Sequence, residues 1–268
     1  MPEGGFLDHL GVWIKRAGAL WWLAVAGCAL MVYVYMHAVL PGAVSADLYM
    51  YLLQPLLWAY LAALALLGWR YGLRERPAFN KPLMIAALVI GVGQVAAMIF
   101  AGLFSGYGHS PYSHQPLPLL GNLLYVGSTL VGMEICRAYM VVALGRRTPL
   151  LALVSVCLFF CLLTTPFAKL GQLSTPPSTL QMVGGTFLPT LSENLLATFL
   201  ALVGGPLASI AYRGTLKAFE WLSPILPDLR WTVAAFLGTL VPALGLYFVQ
   251  SRFRAVSGTA SEARGRQR

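Results

Sequence analysis

The feature that most constrains this chain is the recurrence of apolar stretches about 20 residues long. The first, at about 18–39, reads GALWWLAVAGCALMVYVYMHAV and is followed by Pro41-Gly42. Others lie at about 49–70, 83–104, 119–144, 149–168, 191–212 and 230–250. Twenty residues rise about 30 Å as an α-helix, the thickness of a bilayer's hydrocarbon core. In hydrocarbon every backbone N–H and C=O must be satisfied within the fold, which leaves helices or closed barrels. The stretches are continuous rather than alternating, so they predict an all-α fold, a polytopic transmembrane helical bundle of about six to eight spans. Only 10% of residues are charged, against about 25% in a soluble domain. Mean hydropathy is +0.73.

This pattern predicts one transmembrane domain over 1–250 and a basic, disordered cytoplasmic tail over 251–268. The N-terminus, MPEGGFLDHLGVWIKR, has two acids before its basic pair and no small-residue cleavage site. The first stretch therefore reads as a retained span rather than a signal peptide. Lys15/Arg16, Arg70/Arg74/Arg76/Lys81 and Arg146/Arg147 fall at one set of span ends, while loops 41–48 and 105–118 contain no Lys or Arg. The positive-inside rule then puts the N-terminus in the cytoplasm and the protein in the cell's inner (cytoplasmic) membrane. Toward the C-terminus the reading stays open. Gly204-Gly205-Pro206 predicts a Gly/Pro-broken or re-entrant segment near 191–228. The stretch 214–228 reads as an interfacial or partly inserted helix with Trp221 as its anchor. A Ser/Thr/Pro/Gly loop is expected over about 171–189.

The net charge of +9 does not imply nucleic acid. The basic residues flank apolar stretches and form no aromatic-interleaved patch. The implied environment is membrane lipid. Cys28, Cys136, Cys157 and Cys161 all lie inside apolar stretches, which suits packing residues rather than a disulfide framework. No cofactor is implied.

Two charges stand inside the fourth stretch, in GMEICRAYM (132–140). Glu134 and Arg137 are three apart, so they share a helix face and can pair. An intramembrane charge costs about 2.5–3.5 kcal/mol on insertion scales, and pairing reduces the cost. Their structural reading is a clamp that fixes helix packing; their functional reading is contact with a substrate. Asn122, Tyr139, Glu193 and Asn194 complete the candidate polar site, with Gln54 and Gln94 in neighbouring spans. Ser192 could cap a helix whose positive end suits Glu193. LVGMEICRAYM and LASIAYRGTL each place Arg before Ala or Gly, a short internal echo. A second candidate region is the outer loop with His109, Ser110, Tyr112 and His114. His37, His109 and His114 are the candidate metal ligands, although their spacing carries no metal signature.

Glu134 ahead of Arg137-Ala138-Tyr139 resembles the CaaX-type intramembrane proteases. That family pairs two adjacent glutamates with later histidines, and the last histidine here is His114. There is no H-E-x-x-H and no Asp inside a span.

Three stretches together resemble another family: GHSPYS (108–113) with NLLYVGSTLVGMEICRAYM (122–140), FLPTLSENLLATFLALVGGPLASIAYRG (187–214), and AFEWLSPILPDLRW (218–231) with GTLVPALG (238–245). They resemble the multi-span N-terminal membrane domain that precedes the catalytic domain in long archaeal or ER-type signal peptidase I proteins. The resemblance covers roughly 105–247. The Ser-Met nucleophile pair of that catalytic domain is absent from this sequence, so no catalytic residue carries over. The resemblance implies a non-catalytic accessory or scaffold in signal-peptide processing or protein export, or a binder of membrane segments. Its partner would be a signal peptidase or translocon subunit. Two alternatives stay open: a small-solute transporter or channel using Glu134/Arg137, and an intramembrane hydrolase of another type.

Overall fold

A computed structural model describes residues 5–71, 79–145, 148–165 and 176–265. The loop arginines Arg74, Arg76, Arg146 and Arg147, used above for orientation, lie outside the described residues. The described chain is a helical bundle. Helix α1 is Gly5–Val34 and α2 is Ala46–Arg70. α3 is Lys81–Ser105, α4 is Pro116–Gly145 and α5 is Pro149–Thr164. α6 is Thr179–Gly204, α7 is Pro206–Leu222 and α8 is Trp231–Gly265. Among the described residues six helices are long and apolar enough to cross a bilayer. Their exterior is apolar, with Leu66, Val89, Phe100, Phe104 and Phe236 exposed, as a lipid-facing surface requires. The chain is a multi-pass membrane protein.

Three spans carry a one-turn π-helix, at Tyr35–Val39, Tyr49–Leu53 and Val183–Phe187. Each is followed two residues later by a proline: Pro41, Pro55 and Pro189. Proline clashes with the carbonyl four residues back. Those positions, His37, Tyr51 and Gly185, are the central residues of the three π turns. The widened turn absorbs the clash, so the helix bends and continues. α2 and α6 therefore begin before the points the apolar pattern suggested. Helix occupies the latter part of the expected loop 171–189, from Pro176 on, where the Trp231 ring packs on Gly184 and Gly185.

The expected break near 191–228 is at Gly205, whose φ of +79° is a glycine conformation. Pro206 then opens α7 at a first-turn position. α7 packs among α3, α4 and α6, because its polar face finds partners there. Residues 225–227, expected to extend it, form β2 (Ile225–Pro227), antiparallel to β1 (Tyr107–His109). Tyr107 pairs with Pro227, Gly108 with Leu226 and His109 with Ile225. α3 and α7 thus run parallel to one end of the bundle. The disordered tail expected over 251–268 also differs, since α8 continues as helix to Gly265.

The helix pairings follow from close contacts. Trp58 on α2 meets Gly132 on α4, and Tyr139 on α4 meets Gly68 on α2, so these helices are parallel. α4 is likewise parallel to α6, where Gly145 meets Leu202. α7 runs against α4, with Leu130 beside Gly214. Two apolar cores result. One joins α1, α2, α4 and α5 around Leu61, Trp58, Tyr139 and Phe160. The other joins α3, α6, α7 and α8 around Leu196, Leu200 and Tyr212.

Gly132 lets α2 and α4 approach closely: a Cβ there would lie 2.7 Å from the Trp58 carbonyl oxygen. Gly132→Ala should destabilise the protein by roughly 1–3 kcal/mol through overpacking. Gly93→Ala, where a Cβ meets nothing within 4 Å, should leave stability unchanged. Thermal melting of both variants in one detergent checks the difference.

Candidate functional site: a charged seam between two apolar cores

The seam between the two cores is polar. Glu134 and Arg137 of α4, Asn194 and Thr198 of α6, and Arg213 of α7 are all buried there. The helix spacing puts Glu134 and Arg137 on one face, and the pair is bidentate. Arg137 Nε donates to Glu134 Oε2 at 2.8 Å and its Nη2 donates to Oε1 at 3.2 Å. Such fork geometry is the strong form of a guanidinium–carboxylate contact.

The same guanidinium reaches across to α6. Nη1 donates to Thr198 Oγ1 at 2.9 Å and Nη2 to Asn194 Oδ1 at 2.8 Å. A longer contact runs from Nη1 to the Asn194 carbonyl at 3.4 Å. Its face lies 4.3 Å from the centroid of Phe160 on α5, a cation–π contact in a desolvated place.

Asn194 is the hub. Its Oδ1 accepts from Arg137 and also from Arg213 Nη1 at 2.9 Å. Its Nδ2 donates to Thr164 Oγ1 at 3.0 Å and to the Thr190 carbonyl at 2.8 Å. α4, α5, α6 and α7 are thus joined through one amide. Arg213 Nε lies 3.7 Å from Glu134 Oε1, close enough for attraction but too long for a hydrogen bond.

A second polar chain lies behind this seam. Tyr212 donates to Gln94 Oε1 at 2.8 Å, and Gln94 Nε2 donates to Glu193 Oε1 at 3.1 Å. Glu193 therefore sits in the middle of α6, not at a helix start, and Ser192 is not an N-cap. The misreading follows from starting the helix at 191 rather than before Pro189.

The candidate residues are distributed unevenly. Glu134, Arg137 and Asn194 meet. Glu193 belongs to the Gln94–Tyr212 chain. Asn122 lies twelve residues, about 18 Å, from Glu134 along α4 and supplies no partner to the seam. Tyr139 packs edge-on against Trp69, ring centroids 5.8 Å apart. In the loop, Ser110 N–H donates to the Pro224 carbonyl at 3.0 Å and extends the β ribbon. Tyr112 stacks on Trp221 with centroids 3.7 Å apart. Burial, then Glu220 and Tyr125, push its phenol above the usual value. Trp221 thereby joins the loop to the bundle. His109 and His114 are exposed, and His37 Nδ1 lies 2.9 Å from the Tyr33 carbonyl oxygen. Among the described residues no three His, Cys, Asp or Glu side chains come together as a metal site.

Sequence reasoning missed Arg213, Thr198 and Thr164. The signal for Arg213 was the echo of Arg before Ala or Gly, since the two arginines it pairs meet on one Asn194 oxygen.

Beside the seam, α2, α4 and α7 enclose an open cavity of about 180 Å³. Gln54, Thr129, Glu134, Arg213, Lys217 and Trp221 are among its walls. Gln54 Oε1 is buried there without a partner among the described residues. No known protein family, curated protein or solved structure matches the chain.

Asn194→Leu keeps the branched side-chain shape, with slightly more bulk, and removes the shared acceptor. It should cost about 3 kcal/mol, because two buried guanidinium groups lose a partner. Thr198→Val should cost about 1 kcal/mol. Denaturation by graded detergent, followed by tryptophan fluorescence, measures both.

Proposed function

We propose that the chain is a non-catalytic membrane protein that binds a membrane-embedded guest in the cavity beside the charged seam. On this reading it is an accessory or scaffold in signal-peptide processing or protein export, in the cell's inner membrane with its N-terminus in the cytoplasm. The observation that carries the binding reading is the cavity wall: Gln54, whose side-chain oxygen is buried with no partner among the described residues, lines the same space as Arg213 and Lys217. A buried acceptor without a donor costs roughly 1–3 kcal/mol, and a guest that donates to it recovers that cost.

The seam itself supports a structural role. Glu134 and Arg137 take each other, Asn194 and Thr198 as partners, which leaves no free acid and base pair at this point. Transport fits less well. Within the turn that follows Arg137, Ala138, Met140 and Val141 are buried apolar side chains in the first core, so the polar side chains give way to apolar ones there. The association with export rests on the resemblance over 105–247, which includes α7, β2 and the loop that stacks on Trp221. The cytoplasmic N-terminus is supported by the Lys and Arg pattern of the loops.

Gentle purification from the native membrane, with mass spectrometry of what accompanies the protein, tests the association. A signal peptidase or translocon subunit in stoichiometric amount is expected, and is lost when Trp221→Ala frees the 110–115 loop. Purification with neither subunit under conditions that preserve their own complexes would contradict it.

A further inference from the structure

We propose that the cavity between α2, α4 and α7 takes a phosphate-bearing headgroup that also carries a hydrogen-bond donor. This rests on the reading of that cavity as a guest site, and names the guest's chemistry.

The walls set two requirements. Along α7, Arg213, Lys217 and Trp221 recur every four residues, so one face presents two cations and an aromatic ring to the cavity. Glu134 is the carboxylate on the same wall, and both its oxygens are engaged by Arg137. Arg213 Nε is left at 3.7 Å from it. Lys217 pairs with Glu220, one turn on. Glu193 accepts from Gln94 and lines a different cavity, on the other side of Lys217. The guanidinium of Arg213 therefore has attraction but no hydrogen-bonded carboxylate on its cavity side. An anionic oxygen group placed between Arg213 and Lys217 supplies one.

The second requirement comes from Gln54. Its Nε2 donates to Thr129 Oγ1 at 2.8 Å, and Thr129 Oγ1 donates in turn to the Tyr125 carbonyl at 2.9 Å. With the threonine proton on that carbonyl, the hydroxyl accepts from the Gln54 amide nitrogen, and this hydrogen-bond pattern assigns the nitrogen to the Thr129 side. Gln54 Oε1 is then held as an acceptor, buried, with no donor among the described residues. A bare anion would leave it unmatched. A head with a hydroxyl or amine beside its phosphate matches both sites.

Size agrees. The open cavity of about 180 Å³ is many times the roughly 10–15 Å³ that one water needs on the same measure, room for a phosphate and a short polar substituent. Such a head could belong to a membrane lipid or to a soluble phosphate ester.

The test uses full-length protein, delipidated in a non-ionic detergent, with 1:1 adducts counted by native mass spectrometry. The probes are dioleoylphosphatidylglycerol, dioleoylphosphatidylcholine and free glycerol 3-phosphate. Phosphatidylglycerol should bind at least tenfold more tightly than phosphatidylcholine, which is zwitterionic and has no donor. Gln54→Leu and Lys217→Gln should each weaken it at least fivefold. Lys217 is partly exposed, so its variant folds even where the Gln54 variant does not, and melting curves report this. Binding of glycerol 3-phosphate with the same dependence on Lys217 supports the head chemistry and assigns a soluble source. Its failure beside tight phosphatidylglycerol binding assigns a lipid. Equal binding of the two lipids, no adduct with either anionic probe, or phosphatidylglycerol binding unchanged in Lys217→Gln would overturn the proposal. A missing export partner with intact headgroup binding would instead count against the association alone.

Discussion

The Arg137 guanidinium is fully buried among helices whose exterior faces lipid, and the surrounding architecture answers to that one group. A charge in this position needs a counter-charge, hydrogen-bond acceptors for its donors and a surface to lie against. Glu134 supplies the first from the same helix. Asn194 and Thr198 supply the second from α6, and Phe160 supplies the third from α5. Lipid gives little hydrophobic drive for helices to associate, so polar contacts and close packing determine which helices meet. The seam does the first and the glycine contacts at Gly68, Gly132 and Gly145 do the second.

The arrangement gives Asn194 a particular role. Its amide donates to α5 and to its own helix while it faces two cations with one oxygen. Asp at this position would offer more charge but no donor for Thr164 or the Thr190 carbonyl. Arg213 is bound less completely than Arg137, and it lies where the seam opens into the cavity. The rigid part and the receptive part of the bundle are therefore neighbours, sharing Glu134.

The helical, membrane-spanning character was legible from run length and continuity alone. The Glu134–Arg137 pair was legible from its three-residue spacing. Helix boundaries at Pro41 and Pro189 were not, because a proline in a span can be absorbed by a π turn, and a composition reading treats it as an end; the stretch 49–70 was read through Pro55. The C-terminal half was misjudged for a related reason. Arg213 and Lys217 lower the hydropathy of α7, so it read as interfacial, although Arg213 is matched from α4 and α6 and Lys217 by Glu220 on α7 itself. Such matching is a tertiary fact, and a single sequence shows only that Arg, Lys and Trp recur every four residues. The pairing of β1 with β2, between segments more than 100 residues apart, had no local signal.

The most direct test of the central claim is the stability of the charge-swapped protein, Glu134→Arg with Arg137→Glu. A simple intrahelical pair would survive the swap with its attraction intact. In the arrangement described here, the swapped arginine faces Arg213 and the swapped glutamate faces the Asn194 oxygens. The account predicts that the swap is at least as destabilising as Arg137→Gln alone, measured by thermal melting in the same detergent. Recovery of wild-type stability by the swap would contradict it.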